Sequence, residues 1–133
     1  MNFALNKTLI TDLAALKTSL TASNMRLVAF IDSTIFAPAN IDFFKTENVH
    51  YLDGDSVGAF IKSTHFVTSN PMDSKYHNNL VGILNDETNQ QCVYIDWFNF
   101  VDTPVYWRQR VEKYFDEIQF DGLWTTGNEP YST

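Results

Sequence analysis

Apolar positions along the chain fall into segments of different period. Over 8–23, Leu13, Leu16 and Leu20 recur at helical spacing, and Thr11 or Asp12 can cap the helix N-terminus. Asn24 supplies a stop. Leu27-Val28-Ala29-Phe30-Ile31 follows Arg26 as a continuous apolar run of strand length that ends at Asp32. Such a run predicts a strand buried on both faces in a parallel sheet. From 33 to 92 the pattern loses its period. Turn formers interrupt it at Pro38-Ala39-Asn40, Asp53-Gly54-Asp55 and Ser69-Asn70-Pro71, which predicts a long elaborated loop with short strands at 59–62 and 93–95. A loop that long inside a compact domain tends to be functional. The helical period returns with Asp102 or Thr103 as cap and Pro104 at the first helical position. Trp107, Val111, Tyr114, Phe115 and Ile118 then form one stripe, the side expected to face a sheet. Residues 119–122 break the helix, 123–126 read as a second strand, and Gly127-Asn128-Glu129-Pro130 as the turn after it.

The order helix, strand, irregular segment, helix, strand is a βα-type alternation, so the predicted class is α/β with parallel strands. Two strands and two helices cannot cover both faces of a sheet. A complete (β/α)8 barrel takes about 250 residues, and this chain has 133. It therefore reads as a piece of something larger.

Sixteen Asp+Glu against nine Lys+Arg give a net charge of −7 with no basic run. That argues against nucleic acid and anionic membrane as partners. No stretch approaches the roughly 18 apolar residues of a membrane span. The first seven residues lack the pattern of a signal peptide, and Asn6-Lys7-Thr8 is a glycosylation sequon that counts only in a secreted chain. The single Cys92 excludes an internal disulfide and an all-cysteine metal site. His50, His65 and His77 are spaced unlike a helical ligand pair, so no metal is expected. Eleven Phe, six Tyr and three Trp suit either a large core or a surface on which flat ligands such as sugar rings stack. Taken alone, Trp124 is a core residue, Asp32 a strand-end carboxylate capping the next turn, and Glu129 a solvated turn residue. Asp96 and Asp121 read as turn-holding residues.

The run Phe120-Asp121-Gly122-Leu123-Trp124-Thr125-Thr126-Gly127-Asn128-Glu129-Pro130 resembles the nucleophile strand of glycoside hydrolase family 31, the α-glucosidase, maltase and sucrase-isomaltase family. The usual form there is Phe-Asp-Gly-Met/Leu-Trp-Ile-Asp-Met-Asn-Glu-Pro. Val93-Tyr94-Ile95-Asp96-Trp97-Phe98 resembles the family's Phe-Pro-Asp-Phe segment, and Val105-Tyr106-Trp107 the Trp-Trp opening of the next helix. Met25 to Asp32 resembles the third barrel strand, which ends in Asp-Pro. Asn2-Phe3-Ala4-Leu5-Asn6 resembles the piece after strand two, and Phe60-Ile61-Lys62 the end of a Phe-Ile-Lys loop. Order and rough spacing agree from 2 to 130, except across 63–92. The resemblance implies a partial (β/α)8 TIM barrel over the whole of 1–133, covering roughly strand three to strand four, with 33–92 as the elaborated loop after strand three.

It also implies retaining hydrolysis of O-glycosyl bonds in α-linked glucosides or maltose-like sugars, without a cofactor. A retaining glycosidase uses two carboxyl groups about 5–5.5 Å apart, one as nucleophile and one as acid. Thr126 occupies the nucleophile position, and the family's acid belongs to a later strand. A threonine hydroxyl is un-ionised at neutral pH, and no neighbouring base in the motif activates it. Thr125 and Gly127 also replace the family's Ile and Met. By the same resemblance, Trp124 lines the glucose subsite, Asp32 hydrogen-bonds a sugar hydroxyl, and Glu129 supports the nucleophile. The tryptophan expected ahead of the Phe-Pro-Asp-like segment is missing from 86–91, which read Asp-Glu-Thr-Asn-Gln-Gln. Relatives are often secreted or lysosomal. Three readings follow: a glycosidase segment inactive by itself, a non-catalytic sugar-binding or interaction remnant, or a truncated gene product without function.

Overall fold

The computed structural model describes residues 12–37, 49–63, 76–85 and 90–128. Helix α1 (Leu13–Ala22) leads to strand β1 (Val28–Asp32) and directly to β2 (Thr34–Ala37). Helix α2 (Val49–Ser56), β3 (Val81–Asn85), β4 (Gln90–Tyr94), helix α3 (Asp102–Ile118) and β5 (Gly122–Thr126) follow. β1 and β5 form a two-stranded parallel sheet, while β2, β4 and β3 form an antiparallel sheet in that order. The α/β class and the parallel pairing of the two predicted strands hold. No closed barrel forms among the described residues.

Asp12 caps α1 through its carboxylate, which accepts from the Ala15 N–H at 3.1 Å. Asn24, with φ 55°, takes the left-handed conformation that ends a helix. Residues 8–11, which open the predicted helix, and the sequon at Asn6 lie outside the described residues. β1 is not buried on both faces as its apolar run predicted. Ala29 and Ile31 are buried, whereas Val28 and Phe30 are exposed. The reason is that, among the described residues, only one face of the β1–β5 sheet is covered, where Ala29 and Leu123 pack with Ile118 and Phe120.

The predicted loop 33–92 instead contains β2, α2, β3 and part of β4. Its strands were masked in the sequence because each is only four or five residues long and antiparallel pairing needs no long apolar run. Around 59–62 there are two isolated bridges, Phe60 with Ile95 and Lys62 with Asn79, rather than a strand. The antiparallel sheet and α2 enclose the main core. There Tyr51, Phe60, Tyr76 and Tyr106 pack ring on ring, with Tyr51–Phe60 stacked at 5.7 Å and Phe60–Tyr106 edge-on at 5.8 Å. A polar knot joins α2 to the turn before β3. The Asp55 carboxylate meets His77 Nδ1 at 2.5 Å, accepts from Asn79 Nδ2 at 2.8 Å, and lies 3.5 Å from Lys62 Nζ. Burial alone would raise the Asp55 pKa, but the hydrogen bonds from His77 and Asn79 and the charges of His77 and Lys62 outweigh it and hold the carboxyl below its usual range.

The start of α3 corrects the predicted cap. Neither Asp102 nor Thr103 caps it. The side-chain carbonyl of Asn99 accepts from the N–H groups of Val101 and Asp102 at 3.2 and 3.1 Å. Asp102 is the first helical residue, which puts Pro104 at the third position. The Thr103 hydroxyl donates instead to the Asp96 carbonyl at 2.8 Å. Along α3, Trp107, Val111 and Tyr114 are partly buried and Ile118 is buried, but Phe115 is exposed. The deepest positions are Thr103, Tyr106 and Arg110, on the side that meets α2. Gln119, at φ 56°, ends the helix. Asp96 does hold a turn, accepting from the Phe98 N–H at 3.0 Å, whereas Asp121 accepts from the Leu27 N–H at 2.9 Å and so ties the approach to β5 to the approach to β1 rather than holding a local turn.

Candidate functional site

The period of a strand sets which residues share a face. In the parallel pair Val28 lies beside Gly122, Phe30 beside Trp124, and Asp32 beside Thr126. Ala29 and Ile31 point to the α3 side, so Val28, Phe30, Asp32, Trp124 and Thr126 line the opposite face. Phe30 is 63% exposed there and Trp124 65%. The sequence order alone, 94 residues apart, thus becomes one surface. It has an aromatic pair in its middle and a carboxylate beside a hydroxyl at the C-terminal edge.

That edge is where the chain changes sheets. Ser33 is the single bend between β1 and β2. Its N–H donates to the Thr126 carbonyl at 2.9 Å and its hydroxyl to the Gly127 carbonyl. Asp32 Oδ1 accepts from both the Thr34 N–H and the Thr34 hydroxyl at 2.9 Å. Asp32 is therefore the turn-capping carboxylate that its position alone suggested. It also packs on the backbone of Gly127, where a Cβ would run into its carboxylate, and Gly127 has φ +63°. Only glycine suits both conditions. With no Cβ at Gly127, Asp32 settles against the end of β5.

Of the four sequence-predicted site residues, Asp32, Trp124 and Thr126 come together on one face. Glu129 lies outside the described residues. Sequence reasoning passed over Phe30 and Ser33. Phe30 was findable, being two residues before Asp32 on a strand and so on the same face. Nothing local marked Ser33, whose partners are far along the chain. Cys92 is buried in β4, and burial pushes its thiol pKa up, so it is not poised as a nucleophile. Among the described residues no group of three or more His, Cys, Asp or Glu could hold a metal ion. No helix among them is long and apolar enough to cross a membrane.

The family model described as "Glycosyl hydrolases family 31 TIM-barrel domain" matches residues 1–133, the whole chain. The chain belongs to glycoside hydrolase family 31. Family 31 membership makes it a relative of enzymes acting on glycosides, and it agrees with a parallel strand pair whose C-terminal edge carries the candidate side chains. No curated protein matches the chain closely enough to count as a relative. Within family 31 terms, the edge holds one carboxylate, Asp32, and one hydroxyl, Thr126, in register.

This register gives a direct test of the geometry. Thr126→Asp would set a second carboxylate level with Asp32 on the adjacent strand. Like charges placed side by side across strands cost about 0.2–1 kcal/mol. The variant's urea midpoint should fall below wild type at low salt, and the gap should narrow as added salt screens the two charges. A gap independent of salt would contradict the pairing.

Proposed function

We propose that the chain forms the third and fourth strands of a (β/α)8 glycosidase barrel, with 33–92 as the elaborated segment between them. The activity of the fold is retaining hydrolysis of α-linked glucosides of the maltose type, and this chain by itself does not perform it. The observation that carries this reading is the register of Asp32 and Thr126 at the C-terminal ends of parallel strands, where barrel enzymes keep their working residues. Thr126 takes the nucleophile role and Glu129 the supporting role in name only, because a neutral hydroxyl cannot form the glycosyl-enzyme or balance an oxocarbenium-like transition state. Asp32 is engaged by Thr34, which leaves its second oxygen as the acceptor for a sugar hydroxyl. Incubation of the purified chain with maltose and with nitrophenyl α-glucoside should release no glucose or nitrophenol above buffer. Turnover that disappears in Thr126→Ala would overturn the reading.

One observation favours a second reading, retained sugar binding. Phe30 and Trp124 present adjacent exposed rings on the face that also carries Asp32 and Thr126, and exposed aromatic faces stack on sugar rings. Calorimetry with maltose should then give saturable heat that Trp124→Ala removes. No heat with any glucoside would exclude binding while leaving the family assignment untouched.

A further inference from the structure

Strand β1 ends on a carboxylate whose two oxygens stand in unlike surroundings. Asp32 Oδ1 accepts from the Thr34 N–H and from the Thr34 hydroxyl, both at 2.9 Å. Oδ2 has no hydrogen-bond partner among the described residues. The N–H alone would make the ordinary turn of an aspartate that bonds the backbone two residues on. The hydroxyl puts a second donor on the same oxygen, and hydrogen bonds to a charged acceptor are the strong ones. Asp32 is partly exposed, so a carboxylate held by one donor can turn out to water. Two donors on one oxygen fix the direction of the other.

Thr34 is itself a rigid mount. It is fully buried, and its backbone stands opposite Tyr94 in the β2–β4 ladder. A β-branched side chain is stiff at χ1, so the strand sets where its hydroxyl points. From the other side β5 bounds the carboxylate. Ser33 holds the Thr126 and Gly127 carbonyls, and Gly127 offers no Cβ where Asp32 comes closest. The antiparallel sheet thus sets the direction of a side chain that belongs to the parallel one. Geometry held this way, by partners that are themselves locked, is what a binding group needs to act with a defined orientation.

We propose that Thr34 is the positioning residue of the candidate site. Its hydroxyl holds Asp32 Oδ1, so that Oδ2 stands as the acceptor for a sugar hydroxyl on the face shared with Phe30 and Trp124. The proposal rests on the sugar-binding reading above and adds to it a residue that acts only through Asp32. It also fixes the character of the group offered to the ligand. An ionised carboxylate oxygen only accepts, whereas an asparagine has one accepting and one donating end. Asp32→Asn would give its carbonyl to the two Thr34 donors and present an NH2 group where Oδ2 stood.

Two readouts on the full labelled chain test it, and the first needs no sugar. The Hα–Hβ couplings of Asp32 report its side-chain rotamer. Wild type should show a single rotamer, and Thr34→Ser should keep it. Thr34→Val should show averaged couplings, because a methyl replaces the donor. Thr34→Ala removes the donor without setting a methyl against the carboxylate, and it gives the same reading where Thr34→Val fails to fold. The second readout is calorimetry with maltose. Thr34→Val and Thr34→Ala should weaken binding about tenfold, on the order of one hydrogen bond to a charged group, while Thr34→Ser stays near wild type. Asp32→Asn should keep the single rotamer and weaken maltose at least as much. A threonine that only capped the turn would change stability and leave affinity alone. The proposal is overturned if wild type shows averaged couplings, or if loss of the Thr34 hydroxyl leaves Asp32 in one rotamer. It is also overturned if that loss frees the rotamer without weakening maltose, or if Asp32→Asn binds maltose as wild type does. Absence of maltose heat in wild type would overturn it together with the sugar reading, whereas unchanged couplings with maltose heat intact would overturn it alone.

Discussion

Gly54→Ala should destabilise the chain by about 1–3 kcal/mol, the range for overpacking a core. The sign is opposite to that of the same exchange on an exposed helix, where alanine gains about 1 kcal/mol. Gly54 sits within α2, and a Cβ there would lie 2.9 Å from Phe60 Cε1 and Cε2 and closer still to Cζ. The ring cannot swing away. Phe60 is fully enclosed, stacked on Tyr51 and edge-on to Tyr106. The cause can be separated from a general helix effect by a double-mutant cycle. In a Phe60→Leu background, where the ring is gone, Gly54→Ala should become neutral or stabilising, with a coupling above 1 kcal/mol. Equal penalties in both backgrounds would contradict the packing described. Phe60→Ala should cost about 3–5 kcal/mol in its own right.

Arg110→Ala should be the most damaging charge removal among the described residues. Arg110 is nearly buried; its guanidinium bonds Asp53 at 2.9 Å and His50 Nδ1 at 3.2 Å, and lies 5.6 Å above the Tyr106 ring. Its Nε has no hydrogen-bond partner, so the group is fixed by two of its three nitrogens. Breaking a buried pair costs about 3–5 kcal/mol, and the half-exposed Asp53, which can rehydrate, lowers the expected loss to about 2–4 kcal/mol. The pH dependence identifies the interaction. Burial, and then the positive charges of Arg110 and Lys113, lower the His50 pKa from 6.5 to about 4, against a smaller opposing pull from Asp53. The unfolded ring binds its proton near 6.5, but the folded ring stays neutral until about 4. Stability is therefore full above pH 6.5 and falls as pH drops to 4. A shift of that size corresponds to about 3 kcal/mol for a fully buried ring; solvent around the partly buried His50 reduces it to about 1–2 kcal/mol. Asp55, held low by His77, Asn79 and Lys62, adds a further loss only below the ordinary carboxylate range. Urea titrations from pH 7.5 to 4 should show the first slope in wild type and a shallower one in Arg110→Ala, because His50 regains part of its affinity for its proton while burial and Lys113 still lower it. An unchanged slope would remove Arg110 as a cause.

The parts legible in the sequence were those with a clear period or motif. The Leu13–Leu16–Leu20 spacing located α1, and the Phe120–Gly122 break located the start of β5. Asp32 and Thr126 could be matched because the motif names them, although they are 94 residues apart. Three things were not legible. The burial of β1 on one face only depends on what stands across from it, and an apolar run does not record that. The antiparallel sheet within 33–92 is built from short strands whose pairing is set by partners far along the chain, such as Ile35 with Val93. The α3 cap was placed one or two residues late: Val101 is the N-cap, and Asn99, two residues ahead of it, rather than the more usual-looking Asp102 or Thr103, reaches the Val101 and Asp102 N–H groups. Arg110 stood on the polar side of the expected stripe, and only α2, unseen from the pattern, explains its burial.

The assignment of the candidate site rests on β1 and β5 lying side by side, pointing the same way, with Asp32 level with Thr126. A NOESY spectrum of the labelled chain measures this directly. The expected result is contact between the Phe30 ring and the Trp124 indole, and between the Asp32 β-protons and the Thr126 methyl, since paired positions on neighbouring strands stand about 5 Å apart. Contacts pairing Val28 with Thr126 and Asp32 with Gly122, as reversed strands over the same residues would give, or no contacts between the two segments, would contradict the site.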